Sequence, residues 1–90
     1  MKILVLYKKN SEHFSSLDQF IERLNTELKG SSVRIETLSA DTRDGSALAS
    51  IYDIFSFPAV LVLRNDGSVQ KSWEGESFPI IDEVKAYALS

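Results

Sequence analysis

Residues 51–73 read Ile51-Tyr52-Asp53-Ile54-Phe55-Ser56-Phe57-Pro58-Ala59-Val60-Leu61-Val62-Leu63-Arg64-Asn65-Asp66-Gly67-Ser68-Val69-Gln70-Lys71-Ser72-Trp73. They predict the end of a helix, a proline directly before an apolar strand, a tight turn and a return strand. The turn falls at Asn65-Asp66-Gly67, because glycine accepts the positive φ that hairpin turns require. This helix–proline–hairpin unit decides how the rest of the chain is interpreted.

Three other segments, one of them the apolar strand after Pro58, are predicted to form a sheet together with the return strand. Ile3–Tyr7 and Ala59–Leu63 are continuous apolar runs, which are typical of strands buried on both faces. Val33–Glu36 alternates between apolar and charged residues, which predicts a strand with one covered face. We therefore expect the two apolar strands in the middle of the sheet and the two alternating strands at its edges.

Helical periodicity predicts three helices between and after these strands. The first starts at Ser16, where Gln19 completes a capping-box pattern, and closes at Lys29-Gly30. The second follows the loop Asp41–Gly45 and is capped by Asp44 or Ser46. Its apolar positions are Leu48, Ile51, Tyr52 and Phe55.

The last helix is predicted to be capped by Ser77, with Pro79 near its first turn. Its buried side consists of Ile80, Ile81, Val84, Tyr87 and Ala88. The element order is therefore βαβαββα. It predicts one α/β domain over residues 1–90, with a four-stranded mixed sheet of order 2-1-3-4 and three flanking helices. The first two strands are parallel and joined by a right-handed crossover, and both hairpin strands are expected to run against them.

Composition narrows the classes of function. The net charge is −3 and the charges are interspersed, whereas a nucleic-acid surface needs a clustered basic face. The chain has no cysteine, which excludes disulfides, thiolate catalysis and thiolate metal sites within it. No apolar run approaches the roughly 20 residues that span a bilayer, and no signal peptide is recognisable. We expect a cytoplasmic monomer that binds neither membrane nor nucleic acid.

Two segments carry a resemblance to a known family. Residues 41–60 run from an acidic loop through a short helix and a Tyr52-Asp53-Ile54 ending to the strand after Pro58. Trp73-Glu74-Gly75 adds an aromatic-x-Gly motif after the last strand. In these features the chain resembles the thioredoxin-like superfamily over essentially its whole length, and Tyr7-Lys8-Lys9 is similar to the Tyr-x-Lys of glutaredoxins.

The chain departs from that family at the positions that carry its chemistry. Where the family has Cys-x-x-Cys, this sequence has Ser11-Glu12-His13-Phe14, so thiol–disulfide exchange is impossible within the chain. Where glutaredoxins bind the γ-glutamyl group of glutathione, this sequence has Gly75-Glu76-Ser77. Glu76 would repel the carboxylate of glutathione, and we therefore expect no cofactor.

The resemblance nevertheless implies a binding surface. A proline at the start of a strand is usually an ordinary one, because it loses no ladder hydrogen bond there. The resemblance instead implies a cis Phe57–Pro58 bond, with the Phe57 backbone available to an extended peptide. The expected partner-binding residues are Phe14, Phe57, Pro58, Glu74 and Gly75. The other large aromatic residues, Phe55 and Trp73, are expected in the core.

Catalytic and metal chemistry find little support in the sequence. Ser11 and His13 could suggest a nucleophile and a base, but they lie two residues apart and lack a third, orienting group. Residues 41–45 lack the ligand spacing of a calcium loop. We therefore assign no catalytic residue and no metal ligand.

Three hypotheses of function remain. The favoured one is a redox-inactive module that binds a peptide or protein through the cis-proline face. A second is a non-thiol or glutathione-type transferase-like enzyme in the same cleft, supported only by Lys9 and Ser11. A third is an assembly domain that pairs through an edge strand, Val33–Leu38 or Val69–Trp73. Charged and polar edge residues discourage that pairing, namely Arg34, Glu36, Gln70 and Lys71.

Overall fold

A computed structural model describes residues 1–9, 16–75 and 78–90. The elements in these ranges confirm the predicted βαβαββα order. They are β1 (Lys2–Tyr7), α1 (Leu17–Glu27), β2 (Arg34–Ser39), α2 (Arg43–Ile51), β3 (Ala59–Leu63), β4 (Val69–Glu74) and α3 (Ile81–Ala88).

The four strands form a mixed sheet in the predicted order β2-β1-β3-β4. β1 pairs with β2 in parallel and with β3 antiparallel, and β3 pairs with β4 antiparallel. Consequently β4 runs in the same direction as β1. The expectation that both hairpin strands oppose β1 was wrong for β4, because a return strand must reverse the direction of the strand before it.

The central strands are apolar throughout because each face of the sheet is covered by a separate layer of helix. Ile3, Val5, Val60 and Val62 are buried against α1 and α3 on one face. Leu4, Leu6, Leu61 and Leu63 are buried with Ala49 of α2 on the other. These two cores fix the end of β1 and the start of β3, and they thereby position the loops attached to these strand ends.

Helix α1 follows its predicted apolar stripe, with Leu17, Phe20, Leu24 and Leu28 buried. Its N-cap is Ser16, but the Ser16 side chain makes no capping hydrogen bond to any described residue, so the predicted capping box was wrong. The residue itself has helical backbone angles, with φ −91° and ψ −6°, rather than the extended ones of a capping residue. The helix ends at Glu27 with Leu28 as its C-cap, earlier than the predicted Lys29-Gly30. Gly30 has the predicted left-handed conformation, with φ +85°.

Helix α2 departs from the prediction at both ends. Its N-cap is Thr42, not Asp44 or Ser46: Thr42 Oγ1 accepts the N–H of Gly45 at 3.1 Å. The helix ends at Ile51, and the side chains of Ile51 and Phe55 are 69% and 83% exposed. Both were predicted as apolar positions of the helix, and Phe55 also in the core. The prediction for Phe55 was wrong because the chain leaves the helix before Phe55, whereas Ile51 is the last residue of the helix and its side chain faces solvent.

Helix α3 begins at Ile81, later than predicted. Its N-cap is Ile80, with extended backbone angles and a side chain that is 68% exposed, so the predicted burial of Ile80 was wrong. The predicted cap, Ser77, lies outside the described residues. Phe78 stacks on Phe20 of α1 with ring centroids 4.6 Å apart, which holds the segment before the helix against the core. The helix starts only after this contact.

Candidate functional site

Three segments meet at one end of the sheet, where β1 ends and β3 begins. The N–H of Gly75 donates to the C=O of Pro58 at 3.3 Å, which joins the end of β4 to the start of β3. Lys8, directly after β1, places its Nζ 5.1 Å from the ring centroid of Phe57. The structure thus brings together four of the expected binding residues, Phe57, Pro58, Glu74 and Gly75.

The turn after α2 determines which side chains of the α2–β3 loop are buried and which are exposed. The N–H of Ile54 donates to the C=O of Ala49 at 2.8 Å, and the N–H of Asp53 donates to the C=O of Ser50 at 3.3 Å. This is the Schellman pattern, and Asp53 occupies the left-handed position with φ +56°. Ile54 is buried against Ala49 in the core on the α2 side. The chain is therefore anchored at Ile54, immediately before the exposed Phe55.

Glu74 fixes the loop from the other side. Its Oε1 accepts the backbone N–H of Phe55 at 3.1 Å. A carboxylate that accepts a backbone N–H forms a charge-assisted hydrogen bond, which is stronger than a neutral one. Glu74 is exposed, so water weakens this bond, but it gives the loop a defined contact with the end of β4.

The backbone of Phe57 is open to an additional partner. The Phe57–Pro58 peptide bond is cis, Pro58 is buried and Phe57 is half-buried. No residue in the ranges 1–9, 16–75 and 78–90 hydrogen-bonds with the N–H or C=O of Phe57. One backbone donor and one acceptor thus lie next to the exposed ring of Phe55.

An open groove of about 330 Å³ runs along this loop beside α2. Its walls include Lys8, Ser46, Ser50, Phe55 and Phe57. The groove therefore offers two aromatic rings, two hydroxyls and one ammonium group. Such a lining suits an apolar side chain flanked by backbone amides, because aromatic rings bury large apolar area and the polar groups fix orientation.

The remaining candidate residues lie outside the described residues, namely Ser11, Glu12, His13 and Phe14. The assignment of Phe14 to the binding surface therefore stays a prediction. The sequence interpretation missed Phe55 and Lys8 as members of this site. The signal for Phe55 was Asp53: a short polar residue after Tyr52 favours a helix end there, and Phe55 then lies in the loop.

No helix in the described part of the chain combines the length and hydrophobicity needed to cross a membrane. Among the same residues, no three or more Asp, Glu, His or Cys side chains come together as a set that could hold a metal ion.

The sequence matches no protein-family model and no curated protein. Solved structures do match its fold. A structure described as that of a malarial protein aligns with a TM-score of 0.75 at 15% identity, over 96% of this chain and 90% of the other. Thioredoxin 1 from Thermosipho africanus aligns with a TM-score of 0.71 at 16% identity, over 97% and 89%. The chain has the thioredoxin fold.

A third match is thioredoxin-2, described as a component of the malaria parasite protein secretion machinery. It aligns with a TM-score of 0.75 at 15% identity, over 94% of this chain and 77% of the other. Identities this low establish the thioredoxin fold alone. Because the 90 residues contain no cysteine, the thiol–disulfide exchange of thioredoxins cannot take place within them.

Proposed function

We propose that this chain is a redox-inactive thioredoxin-fold module that binds an extended peptide segment of a partner protein. The binding site is the Phe55–Phe57 surface, which we define as Lys8, Phe55, Phe57, Pro58, Glu74 and Gly75. The observation that carries the proposal is the 83% exposed ring of Phe55 beside the backbone of Phe57, which has no hydrogen-bond partner among the described residues.

The peptide would bind as a short added strand. Its backbone would exchange hydrogen bonds with the N–H and C=O of Phe57, which supplies affinity without demanding a particular sequence. One apolar side chain would lie in the groove between Phe55 and Phe57, which supplies specificity. With no covalent intermediate to hold the partner, we expect a Kd of about 1 μM, equivalent to about −8 kcal/mol.

Two charged residues position this surface. Glu74 holds the loop through the N–H of Phe55. Lys8 lies over the Phe57 ring, a cation–π contact that restricts the ring and leaves the ammonium group at the groove. The described residues of this surface include one base, Lys8, and one acid, Glu74, both exposed, so we expect neutral peptides to bind better than strongly charged ones.

The competing hypothesis of an enzyme in the same cleft gains no specific support. It depends on Lys9 and Ser11, of which Lys9 is exposed and Ser11 lies outside the described residues. The hydroxyls that do line the groove belong to Ser46 and Ser50, and no histidine or carboxylate in the described ranges lines it with them. A serine nucleophile needs an adjacent base, so binding is the better supported function.

The first test uses peptides selected from a random display library against the full chain, followed by an amide chemical-shift titration with the tightest one. We expect shifts at Phe55, Phe57 and Gly75. The variant Phe55→Ser should weaken binding by about tenfold or more, because the apolar contact is lost. The matched control is Leu89→Ser, which removes another exposed apolar side chain, 52% exposed and at the end of α3, and should leave the Kd unchanged.

A second test isolates the backbone hydrogen bonds. The selected peptide is resynthesised with single N-methylated amides along its length. We expect one or two positions at which methylation abolishes binding, since an added strand donates from alternate residues. Shifts confined to α1 or β2, or equal binding by Phe55→Ser, would show that the peptide site is elsewhere.

A further inference from the structure

The outer edge of β2 is open. The N–H of Arg34 donates to the C=O of Met1 and the N–H of Ala40 to the C=O of Tyr7, so residues 34, 36, 38 and 40 direct their backbone groups toward β1. The backbone groups of Ile35 and Thr37 therefore face away from the sheet. Within the described ranges, no residue forms a hydrogen bond with them.

The side chains along this edge alternate between the two faces of the sheet. Arg34 and Glu36 share one face, and Glu36 forms an ion pair there with Lys2 of β1. Ile35 lies on the opposite face, half-buried and packed against the core beneath α1 and α3. One edge thus carries a base and an acid two residues apart, with an apolar residue between them.

We propose that two copies of this chain associate by antiparallel pairing of their β2 edges, with Ile35 opposite Ile35 of the second copy. In this register Arg34 lies opposite Glu36 of the second copy, and two-fold symmetry repeats that pair. The outward backbone groups make Ile35 a hydrogen-bonded pair. The Arg34–Glu36 pairs are then non-hydrogen-bonded positions, where opposite side chains come closest.

The alternative registers lack this complementarity. Centring the pair on Thr37 would set Glu36 opposite Leu38. Centring it on Arg34 or on Glu36 would set two like charges opposite each other at a non-hydrogen-bonded position, where side chains come closest. The charges therefore select one register of the β2 edge.

The other edge strand, β4, does not offer such a pattern. Lys71 and Glu74 are three residues apart and so lie on opposite faces of β4. The Lys71 ammonium also lies 5.7 Å from the ring centroid of Tyr87, so it already contacts a residue of its own chain. Pairing of two β4 edges would form no ion pair between opposite charges, so we assign the contact to β2.

The groove beside β2 leaves room for the second copy. It measures about 630 Å³ and lies between α1 and the sheet, with Ile21 of α1 and Thr37 of β2 among its walls. The proposed register sets Val33 of the second copy opposite Thr37, on the face that this groove borders. Val33 and Ile35 are each half-buried in the single chain, and pairing would cover more of both.

This proposal departs from the expectation that charges on an edge strand keep the chain monomeric. Edge charges prevent pairing when like charges meet. Here a base, Arg34, and an acid, Glu36, flank the apolar Ile35. When two copies of this strand pair antiparallel, each base therefore meets an acid. The association is distinct from the Phe55–Phe57 surface, which lies beyond the far ends of β1 and β4.

The test is sedimentation velocity of the full chain from about 10 μM to about 1 mM, the range in which weak contacts become populated. We expect a concentration-dependent dimer that weakens with added salt, because exposed ion pairs are screened. Arg34→Glu and Glu36→Arg should each weaken the dimer by about tenfold or more, since like charges then face each other. Glu83→Arg on α3 is the control with the same change of charge as Glu36→Arg, and should leave association unchanged.

Mixing the two charge-reversed variants decides between pairing at this register and any other contact. One variant carries acids at positions 34 and 36 and the other carries bases, so both ion pairs form only between unlike chains. We expect each variant alone to be monomeric and their equimolar mixture to form a dimer. A monomer at every concentration, or a dimer that neither variant weakens, would overturn the proposal. Thermal melts of both variants check that each is folded.

Discussion

The backbone N–H of Phe55 donates to Oε1 of Glu74, across 3.1 Å between two segments 19 residues apart in sequence. This bond ties the loop after α2 to the end of β4, and it leaves the Phe55 ring exposed. The expectation that Glu74 meets the partner stays a prediction. Its carboxylate also holds the loop that carries the most exposed of the large apolar side chains in the described residues.

We predict that Glu74→Ala loosens this loop. The N–H of Phe55 loses its acceptor, so its amide hydrogen exchange should accelerate, and the free energy of unfolding should fall by about 0.5–1 kcal/mol for an exposed hydrogen bond. Glu74→Gln keeps an oxygen at the same position and is the matched control. Equal exchange rates for Phe55 in the wild type and in Glu74→Ala would contradict the assigned contact.

Removing the Phe55 ring should leave the fold intact. A buried phenylalanine truncated to a small residue costs about 3–5 kcal/mol, whereas substitutions of exposed side chains usually change stability by about 0.5 kcal/mol or less. We expect Phe55→Ser to melt within a few degrees of the wild type and Phe20→Ser, in the core, to be strongly destabilised. Urea unfolding of both variants provides the measurement. A large loss of stability in Phe55→Ser would show that the Phe55 ring is buried in the core.

The sheet was predictable from the sequence because its signals are local and strong. Continuous apolar runs, the Asn65-Asp66-Gly67 turn and strict alternation each predict one element, and burial on both faces explains the runs. The ends of the helices were less predictable. Thr42, Asp44 and Ser46 can all cap a helix by residue type, so the pattern did not select one of them. Thr42 is the cap in the structure, and its hydroxyl also donates to the C=O of Ser39 at the end of β2, at 2.7 Å.

The same limit applies to the candidate site. Pro58 and Gly75 stand in recognisable motifs, so their meeting was expected. Phe55 was assigned to the core because it continues the helical spacing of Leu48, Ile51 and Tyr52. The turn at Asp53 breaks that spacing, and a single polar residue in a left-handed conformation is a weaker signal than an apolar stripe.

Gly45 is a position where alanine should be strongly unfavourable despite its location in a helix. A Cβ built on Gly45 would lie 1.9 Å from the backbone oxygen of Ser39, so β2 or α2 would have to move. We expect Gly45→Ala to destabilise the fold by about 3 kcal/mol, although alanine ordinarily stabilises a helix relative to glycine by about 1 kcal/mol. Ser46→Ala, at the next and exposed position, should be close to neutral. Thermal unfolding compares them, and a Gly45→Ala protein as stable as the wild type would refute this close approach.

The stability of the hairpin turn depends on pH through the carboxylate of Asp66. The Ser68 hydroxyl donates to Asp66 Oδ1 at 2.6 Å and the Ser68 N–H at 2.9 Å, and these bonds hold the pKa of Asp66 below its ordinary value. Because the pKa of Asp66 is lower in the folded chain, its ionised carboxylate stabilises the fold at pH values above the unfolded-state pKa. This stability is lost as the pH falls through the folded-state pKa. Ser68→Ala should therefore raise the pKa of Asp66, measured by the pH titration of its carboxyl carbon signal in NMR. An unchanged pKa would exclude the hydroxyl as its main cause.

Asp53 offers the simplest route to a more stable protein. It occupies the left-handed C′ position of the Schellman turn with φ +56°, a conformation that glycine adopts without the steric cost of a Cβ. We expect Asp53→Gly to raise the free energy of unfolding by about 0.5–1 kcal/mol, since the relief of strain exceeds the added freedom of the unfolded chain. Asp53→Ala keeps the Cβ and loses the polar side chain that tolerates this conformation, so it should be less stable than the wild type. Chemical denaturation of the three proteins gives the order Gly, Asp, Ala if the turn has the assigned geometry. The reverse order would mean that residue 53 does not adopt a left-handed conformation, and the placement of Phe55 outside the helix would lose its structural basis.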